Sequence, residues 1–239
     1  MTYPVYHPIF LNLEQRKVLI VGGGAIALEK LDSLLPSGAK ITVLSPEINE
    51  AIDQLHSEGK LIWLQGIFGP ESLEGYFMVI ATSDDPEINA QIFQLANDRN
   101  MLVNSVDDPD HCNFIMAAIA KSGPLQVAIS SSGTSPALAQ LIRRQIARDL
   151  LTEEAGELAK FLGANRELVK ASLPQYRVRK GFWERVLASD IPSVLATYGV
   201  QEAEVRLKEC LAWSVENVDC VGCGKPCRFF ECQCRECGE

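Results

Sequence analysis

Hydrophobic and polar positions change period twice between Lys17 and Glu47. Val18, Leu19, Ile20 and Val21 form an unbroken apolar run, the pattern of a strand buried on both faces. Gly22, Gly23 and Gly24 follow at once. From Ala25 to Leu35 small and apolar residues recur at helical spacing, Gly38 stops the helix, and Ile41 to Leu44 is a second β-rich run. The pattern predicts strand, glycine turn, helix, turn, strand. It continues with a helix over Ile48–Glu58 and strands over Leu61–Leu64 and Tyr76–Ala81. A helix over Pro86–Arg99, with Ile88, Ile92 and Leu95 on one face, precedes a strand over Met101–Val103. Strands alternating with helices predict a parallel sheet. Ahead of it, Val5–Leu13 is expected to pack beside the first strand or add an edge strand, with His7 packed among apolar neighbours.

The pattern changes after residue 113. Phe114–Ala120 fits either strand or helix, and Leu125–Ser130 reads as a strand. Ser135 before Pro136 marks a helix start, an N-cap hydroxyl followed by proline at the first helical position. Leu138, Leu141, Ile142 and Ile146 should form that helix's buried face, with Arg143, Arg144 and Arg148 over much of the rest. Helices are expected over Thr152–Leu162, Arg166–Ser172, Arg177–Ala188 and Ile191–Tyr198. The fold class is therefore α/β. A parallel-sheet domain (1–113) is followed by a small α+β unit (114–150), a helical domain (151–206) and a cysteine-rich tail (207–239). A strand-plus-helix unit such as 114–150 often completes its sheet across a dimer.

The 239 residues suffice for one large or two modest domains with a core. No apolar run approaches a membrane span, and MTYPVYHPIF lacks a basic region followed by an apolar core, so a cytoplasmic protein is expected. The net charge of −9 is unevenly spread: residues 114–190 carry 11 basic and 7 acidic side chains, against 6 and 16 in residues 1–113. A basic middle in an acidic chain points to an anionic ligand rather than to nucleic acid.

The glycine pattern is Gly22-x-Gly24-x-x-Ala27, between a strand and a helix. In a dinucleotide site the first glycine permits the turn, the second admits a pyrophosphate, and a small third residue lets helix and strand pack closely. The helix N-terminus offers unpaired N–H groups to the phosphates. No carboxylate ends the second strand, where one would hold the ribose; Ser45 and Pro46 stand there and Glu47 is the first acid. The motif alone does not choose between NAD and NADP. Thr82 and Asp84 follow one strand, and Asn104 to Pro109 follow the next, so both stretches fall on the rim where such sheets bind ligands.

GGGAIALEK, ATSDDPEIN, NSVDDPDHCNFIMAA and GPLQVAISSSGTSPALAQLIR, in that order, resemble the siroheme-synthase dehydrogenase/ferrochelatase family over roughly residues 5–190. The resemblance implies a Rossmann domain, a central dimerisation unit and a helical domain. It implies a homodimer that oxidises precorrin-2 to sirohydrochlorin with NAD, and in many members takes Fe²⁺ as substrate to form siroheme. It places cofactor contacts at Gly22, Gly24, Ala25, Ile26, Ser45, Pro46 and Glu47. It makes Asp107 the catalytic aspartate, with Asp108 and His111 close enough to assist. Ser131 matches a serine that is phosphorylated in some members. Asn104, Ser131, Gly133, Ser135, Arg143 and Arg144 are the expected substrate contacts, since the substrate is a polycarboxylate that Arg can pair with. One departure is Ala117, where relatives often have proline.

Six thiols, Cys220, Cys223, Cys227, Cys232, Cys234 and Cys237, crowd the tail. Short thiolate spacings suit zinc or an iron–sulfur cluster, and the spacing matches no ferredoxin pattern. A redox or disulfide role is the alternative. Cys112 and Cys210 read as packed thiols. Two other functions stay open: a dehydrogenase without chelatase activity, and an NAD-binding regulator whose tail senses redox state or metal.

Overall fold

The structure, a computed structural model, describes residues 5–222 and Phe229. The chain divides into two compact units. The first comprises residues 1–117 together with Ser131–Ser135, and the second comprises Ala118–Ser130 and the chain from Pro136 onward.

The first unit is a five-stranded parallel sheet of order β3-β2-β1-β4-β5. The strands are β1 (Lys17–Val21), β2 (Lys40–Ser45), β3 (Ile62–Gln65), β4 (Met78–Ala81) and β5 (Leu102–Ser105). The helices between them are α1 (Ala25–Leu34), α2 (Glu50–Ser57) and α3 (Pro86–Asp98). β1 lies at the centre and Val18, Leu19 and Ile20 are fully buried, which is why the run carries no polar alternation. Alternate residues feed two cores: Val18 and Ile20 pack with Ala27, Leu31 and Ile52, while Leu19 and Val21 pack with Ile92 and Ala96. Gly38, at φ 73°, ends the turn after α1 in the left-handed conformation that glycine adopts without a Cβ clash.

Two local expectations fail here. Val5–Leu13 forms no strand, and His7 is exposed. β1 already pairs with β2 on one side and β4 on the other, so no edge beside it is free. Of the apolar residues there only Leu13 is buried, while Phe10 stays 69% exposed. The outer edge of β5 is covered instead by the returning chain. Asn113 donates its backbone N–H to the Val103 carbonyl at 3.0 Å, and its Oδ1 accepts from Val103 N at 2.9 Å.

The second unit begins with the hairpin β6 (Ala118–Ser122) and β7 (Leu125–Ile129), paired antiparallel. The ambiguous stretch before residue 120 therefore ends as a strand. α4 (Pro136–Asp149) starts at the proline, as the Ser-Pro step predicts. Its expected apolar face is only partly covered: Leu138 and Leu141 are 51% and 44% exposed, and Ala139 is its buried residue. α5 (Glu153–Ala164) is capped by Thr152, whose Oγ1 accepts from Ala155 N at 3.3 Å. Its Gly156 lets the helix approach the hairpin turn, since a Cβ there would lie 2.5 Å from Ser122 Oγ. α6 (Arg166–Ser172), α7 (Tyr176–Ala188), α8 (Ile191–Tyr198), α9 (Val200–Glu216) and α10 (Val218–Gly222) close around Phe182, Ile191 and Leu207. α9 runs past residue 206 because Leu207, Cys210, Leu211 and Ser214 continue its buried face. Val221 and Phe229 belong to the same core, and Phe229 lies against the rings of Phe182 and Trp213.

Candidate cofactor cleft and aspartate turn

A cleft of about 610 Å³ opens at the carboxyl ends of β1, β2 and β4. Three stretches line it, from Gly22 to Ile26, from Ser45 to Asn49, and from Thr82 to Asp85. Strand order places them together, because β1 lies between β2 and β4 and all three run in one direction.

The three glycines meet different constraints. Gly22, at φ 121°, donates its N–H to the Leu44 carbonyl at 2.9 Å, and a Cβ there would lie 2.5 Å from Thr82 Oγ1. A Cβ on Gly23 would collide with the Glu47 carbonyl oxygen, and the Gly23 carbonyl accepts from Asn49 N at 3.0 Å. A Cβ on Gly24 would meet nothing within 4 Å. The protein's own packing thus needs Gly22 and Gly23, while Gly24 leaves room beside the cleft. Gly24 also caps α1 without a side-chain hydrogen bond, and the first turn of α1 carries no acid. The N–H groups there are available to an anion. Ala27 is fully buried, as close packing of helix on strand requires.

The other cofactor candidates divide by burial. Ser45 and Thr82 are buried, and the Thr82 hydroxyl donates to the Val21 carbonyl at 2.9 Å. Pro46, Glu47 and Asp84 are exposed on the lining. The lining's ionisable side chains are Glu47, Asp84 and Asp85, with no Lys, Arg or His among them. Sequence reasoning passed over Gly23, Asn49 and Asp85. Asn49 was legible as the cap of α2, its Oδ1 accepting from Ile52 N at 2.9 Å. Asp85 was legible as the cap before Pro86, its Oδ1 accepting from Glu87 N at 2.9 Å.

One strand along the sheet, β5 delivers the second feature. Val106 N donates to the Ala81 carbonyl at 3.1 Å, which sets the turn after β5 beside the loop after β4. Asp107 is exposed and holds φ 60°, a left-handed conformation uncommon outside glycine. Asp108 Oδ2 lies 2.5 Å from His111 Nδ1, and the His111 ring meets Phe93 edge-on. Asn104 is buried, and its Nδ2 donates to the Phe114 carbonyl at 3.0 Å. Cys112 carries more polar contacts than a packed thiol would. Burial raises its pKa above the ordinary thiol value; the Ser105 backbone hydrogen bond opposes this and the Asp108 charge adds to it.

Of the remaining candidates, Ser131, Gly133 and Ser135 fall in the same unit as Asp107. Ser131 Oγ accepts from Ser135 N at 3.0 Å, and Thr134 Oγ1 donates to the Ser131 carbonyl at 2.7 Å. Arg143 and Arg144 belong to the second unit, where Arg143 Nε donates to Gln140 Oε1 at 2.8 Å. Cys220 lies in α10, while Cys223, Cys227, Cys232, Cys234 and Cys237 lie outside the described residues. Among the described residues no group of three His, Cys, Asp or Glu could hold a metal ion. No helix there is long and apolar enough to cross a membrane.

Three family models match in succession: an NAD(P)-binding model over residues 9–118, a sirohaem biosynthesis protein central model over 122–149, and a sirohaem synthase dimerisation region over 154–211. The chain belongs to the siroheme-synthase family. A siroheme synthase of Photorhabdus laumondii is 43% identical over 209 residues, covering 87% of this chain and 44% of that protein. A siroheme synthase of Neisseria meningitidis is 37% identical over 221 residues, covering 92% of this chain and 46% of that protein. The chain thus spans under half the length of these curated relatives. Among solved structures, SirC, a precorrin-2 dehydrogenase, superposes with a TM-score of 0.71 at 25% identity, covering 85% of this chain and 100% of that one. The Rossmann sheet followed by a dimerisation region agrees with the fold class expected from the sequence.

Proposed function

We propose that this siroheme-synthase relative oxidises precorrin-2 to sirohydrochlorin with NAD. The supporting observation is the pairing, on one sheet rim, of a dinucleotide cleft with an exposed aspartate one strand away. The cleft suits the cofactor: Gly24 leaves space, the α1 N-terminus is uncapped by any side chain, and Ser45 and Glu47 line the cleft after β2, where they would hold the ribose. NAD, when bound, supplies the hydride acceptor. Asp107 takes the proton that leaves the substrate carbon, directly or through one water, so the substrate loses two electrons and two protons in all. Asp108 and His111 form a hydrogen-bonded pair next to it that can pass the proton to solvent. Glu47, Asp84 and Asp85 surround the cleft with negative charge, which favours NAD over a cofactor with a further phosphate.

The reading extends to Fe²⁺ as a second substrate, with Asp107 also accepting pyrrole protons during metal insertion. Arg143 and Arg144 are assigned to the carboxylate arms of the tetrapyrrole, with Asn104, Ser131, Gly133 and Ser135 as the polar contacts. The working form is a homodimer in the cytoplasm. The part-covered apolar residues Leu138 and Leu141 and the matched dimerisation region support the dimer. The free thiols Cys112 and Cys210 suit a reducing compartment. The tail thiols are assigned to zinc or an iron–sulfur cluster, which metal analysis of the purified chain before and after Cys227→Ser would test.

The deciding experiment is an anaerobic absorbance assay with precorrin-2 and NAD, followed by Fe²⁺. Sirohydrochlorin and then siroheme, each formed faster than without protein, are the expected products. Oxidation without faster metal insertion would leave a dehydrogenase alone. NAD binding with no oxidation would favour the regulatory reading.

A further inference from the structure

The Asp107 turn carries backbone strain. A non-glycine residue at φ 60° occupies a sparsely populated region, which Asp enters more readily than most, and it persists there only where its surroundings hold it. The turn's own hydrogen bond, from Asp108 N to the Ser105 carbonyl, is long at 3.3 Å. What ties its two ends together is a side chain beyond it. Cys112 Sγ lies 3.1 Å from the Ser105 carbonyl and 3.2 Å from the Asp108 carbonyl. It also accepts from Ser105 N at 3.2 Å and from Asn104 Nδ2 at 3.4 Å. The thiol therefore touches the residues on both sides of Asp107. Its chain position is fixed in turn, because Asn104 and Cys112 form an isolated antiparallel bridge and Asn113 pairs with β5.

We propose that Cys112 is a positioning residue for the reaction, its thiol clamping the Ser105–Asp108 turn so that Asp107 is presented in its left-handed conformation. The proposal rests on Asp107 being the base named above. Cys210 shows what a merely packed thiol looks like: it is 1% exposed within the helical core, among Phe182, Leu207 and Leu211. Cys112 instead meets two carbonyls, a backbone N–H and a side-chain amide. A single S–H serves two carbonyls in a shared bond, while the sulfur's lone pairs receive the two N–H groups. The raised pKa keeps the proton in place at neutral pH, so the donor is present under working conditions. Sulfur's long bond to Cβ lets one atom reach both ends of the turn. A hydroxyl would sit nearer Cβ and engage one carbonyl well, retaining part of the clamp.

The test uses the full chain in the anaerobic precorrin-2 assay. Cys112→Ala should lower kcat by about 10- to 100-fold, the scale of a misplaced catalytic group, with the KM for NAD unchanged. Cys112→Ser should recover most of that loss. In an Asp107→Ala background, Cys112→Ala should have no further effect, because the clamp acts through the missing carboxylate. Amide exchange at Asp107 and Asp108 should quicken in Cys112→Ala even if that variant is too weakened for kinetics. Wild-type kcat in Cys112→Ala, or an equal loss in both backgrounds, would overturn the positioning role. Full turnover in Asp107→Ala alone would overturn the base itself, a result visible without any change at Cys112, and the clamp's catalytic role with it.

Discussion

Two turns on one sheet rim solve the same steric problem in opposite ways. After β1 the chain reverses through Gly22 and Gly23, where a side chain would strike Thr82 or the Glu47 carbonyl. After β5 it reverses through Asp107, which keeps its side chain in a left-handed conformation. The first turn is fixed by what is missing, the second by what Cys112 and Asn104 add. Under the proposed function the difference follows the chemistry. A pyrophosphate is recognised by backbone N–H groups, so side chains are in the way. A proton is taken by a carboxylate, so a side chain is indispensable and the backbone must be held for it.

The largest expected effect lies at the second turn. Asp107→Ala should lower kcat for precorrin-2 oxidation by about 10²–10⁴-fold, the range for loss of general acid–base catalysis, with the NAD dissociation constant within twofold by fluorescence titration. Gly23→Ala should fail differently. The Glu47 carbonyl cannot retreat without breaking the Asn49–Gly23 bond, so stability should fall by about 2–4 kcal/mol by urea unfolding and NAD affinity with it. Gly24→Ala then sharpens the contrast: with nothing within 4 Å of the new methyl, stability should fall by no more than about 1 kcal/mol, the helix-cap preference for glycine over alanine, while NAD binding weakens. If Gly24→Ala bound NAD as the wild type does, the space beside α1 would not be the pyrophosphate site.

Smaller effects should follow from charge. Glu47→Gln removes one of the three carboxylates on the lining and should narrow the preference for NAD over NADP several-fold, measured as a ratio of kcat/KM. The smallest effect is a pH dependence. Cys112 has a raised thiol pKa in the folded chain, chiefly from burial. An unfolded chain would lose that proton first, so this group's stabilisation is complete below the ordinary thiol pKa. It declines as the pH rises from there through the folded value. Thermal unfolding scans from pH 8 upward should show this decline, and Cys112→Ser should flatten it. Cys210, whose pKa burial pushes up to about 11, should begin its decline at the same ordinary thiol pKa and carry it to higher pH, so it is the part that remains in Cys112→Ser.

The sheet was legible because its signals are local. Val18–Val21 is apolar without a break, the glycines follow it, and Pro86 and Pro136 start helices where the pattern predicts. Val5–Leu13 was misread because its apolar residues carry no record of whether an edge is free, and both sides of β1 are taken. The buried face expected of α4 was overstated for a related reason: spacing shows which residues share a face, not what covers it. At the site, the residue types were readable and their duties were not. Asn104 reads as a polar contact at a strand end, yet its amide braces the Phe114 carbonyl. Cys112 reads as filler until its sulfur is seen between Ser105 and Asp108. Such roles depend on where a chain returns several residues later, which no short pattern encodes.

Phe229 carries a consequence for how the protein is made. It is 6% exposed against Phe182 and Trp213, and Val221 packs so tightly on Gly181 that a methyl group there would strike its carbonyl. During synthesis from the N-terminus, the helical core therefore stays unfinished until residue 229 has left the ribosome, with two large aromatic rings short of a neighbour. Shortening the chain ahead of Val221 would leave every copy at that stage, prone to chaperone capture and proteolysis. The six tail cysteines are then better studied by exchanging single thiols for hydroxyls than by cutting them away, since the cut would remove part of the core together with the sulfur.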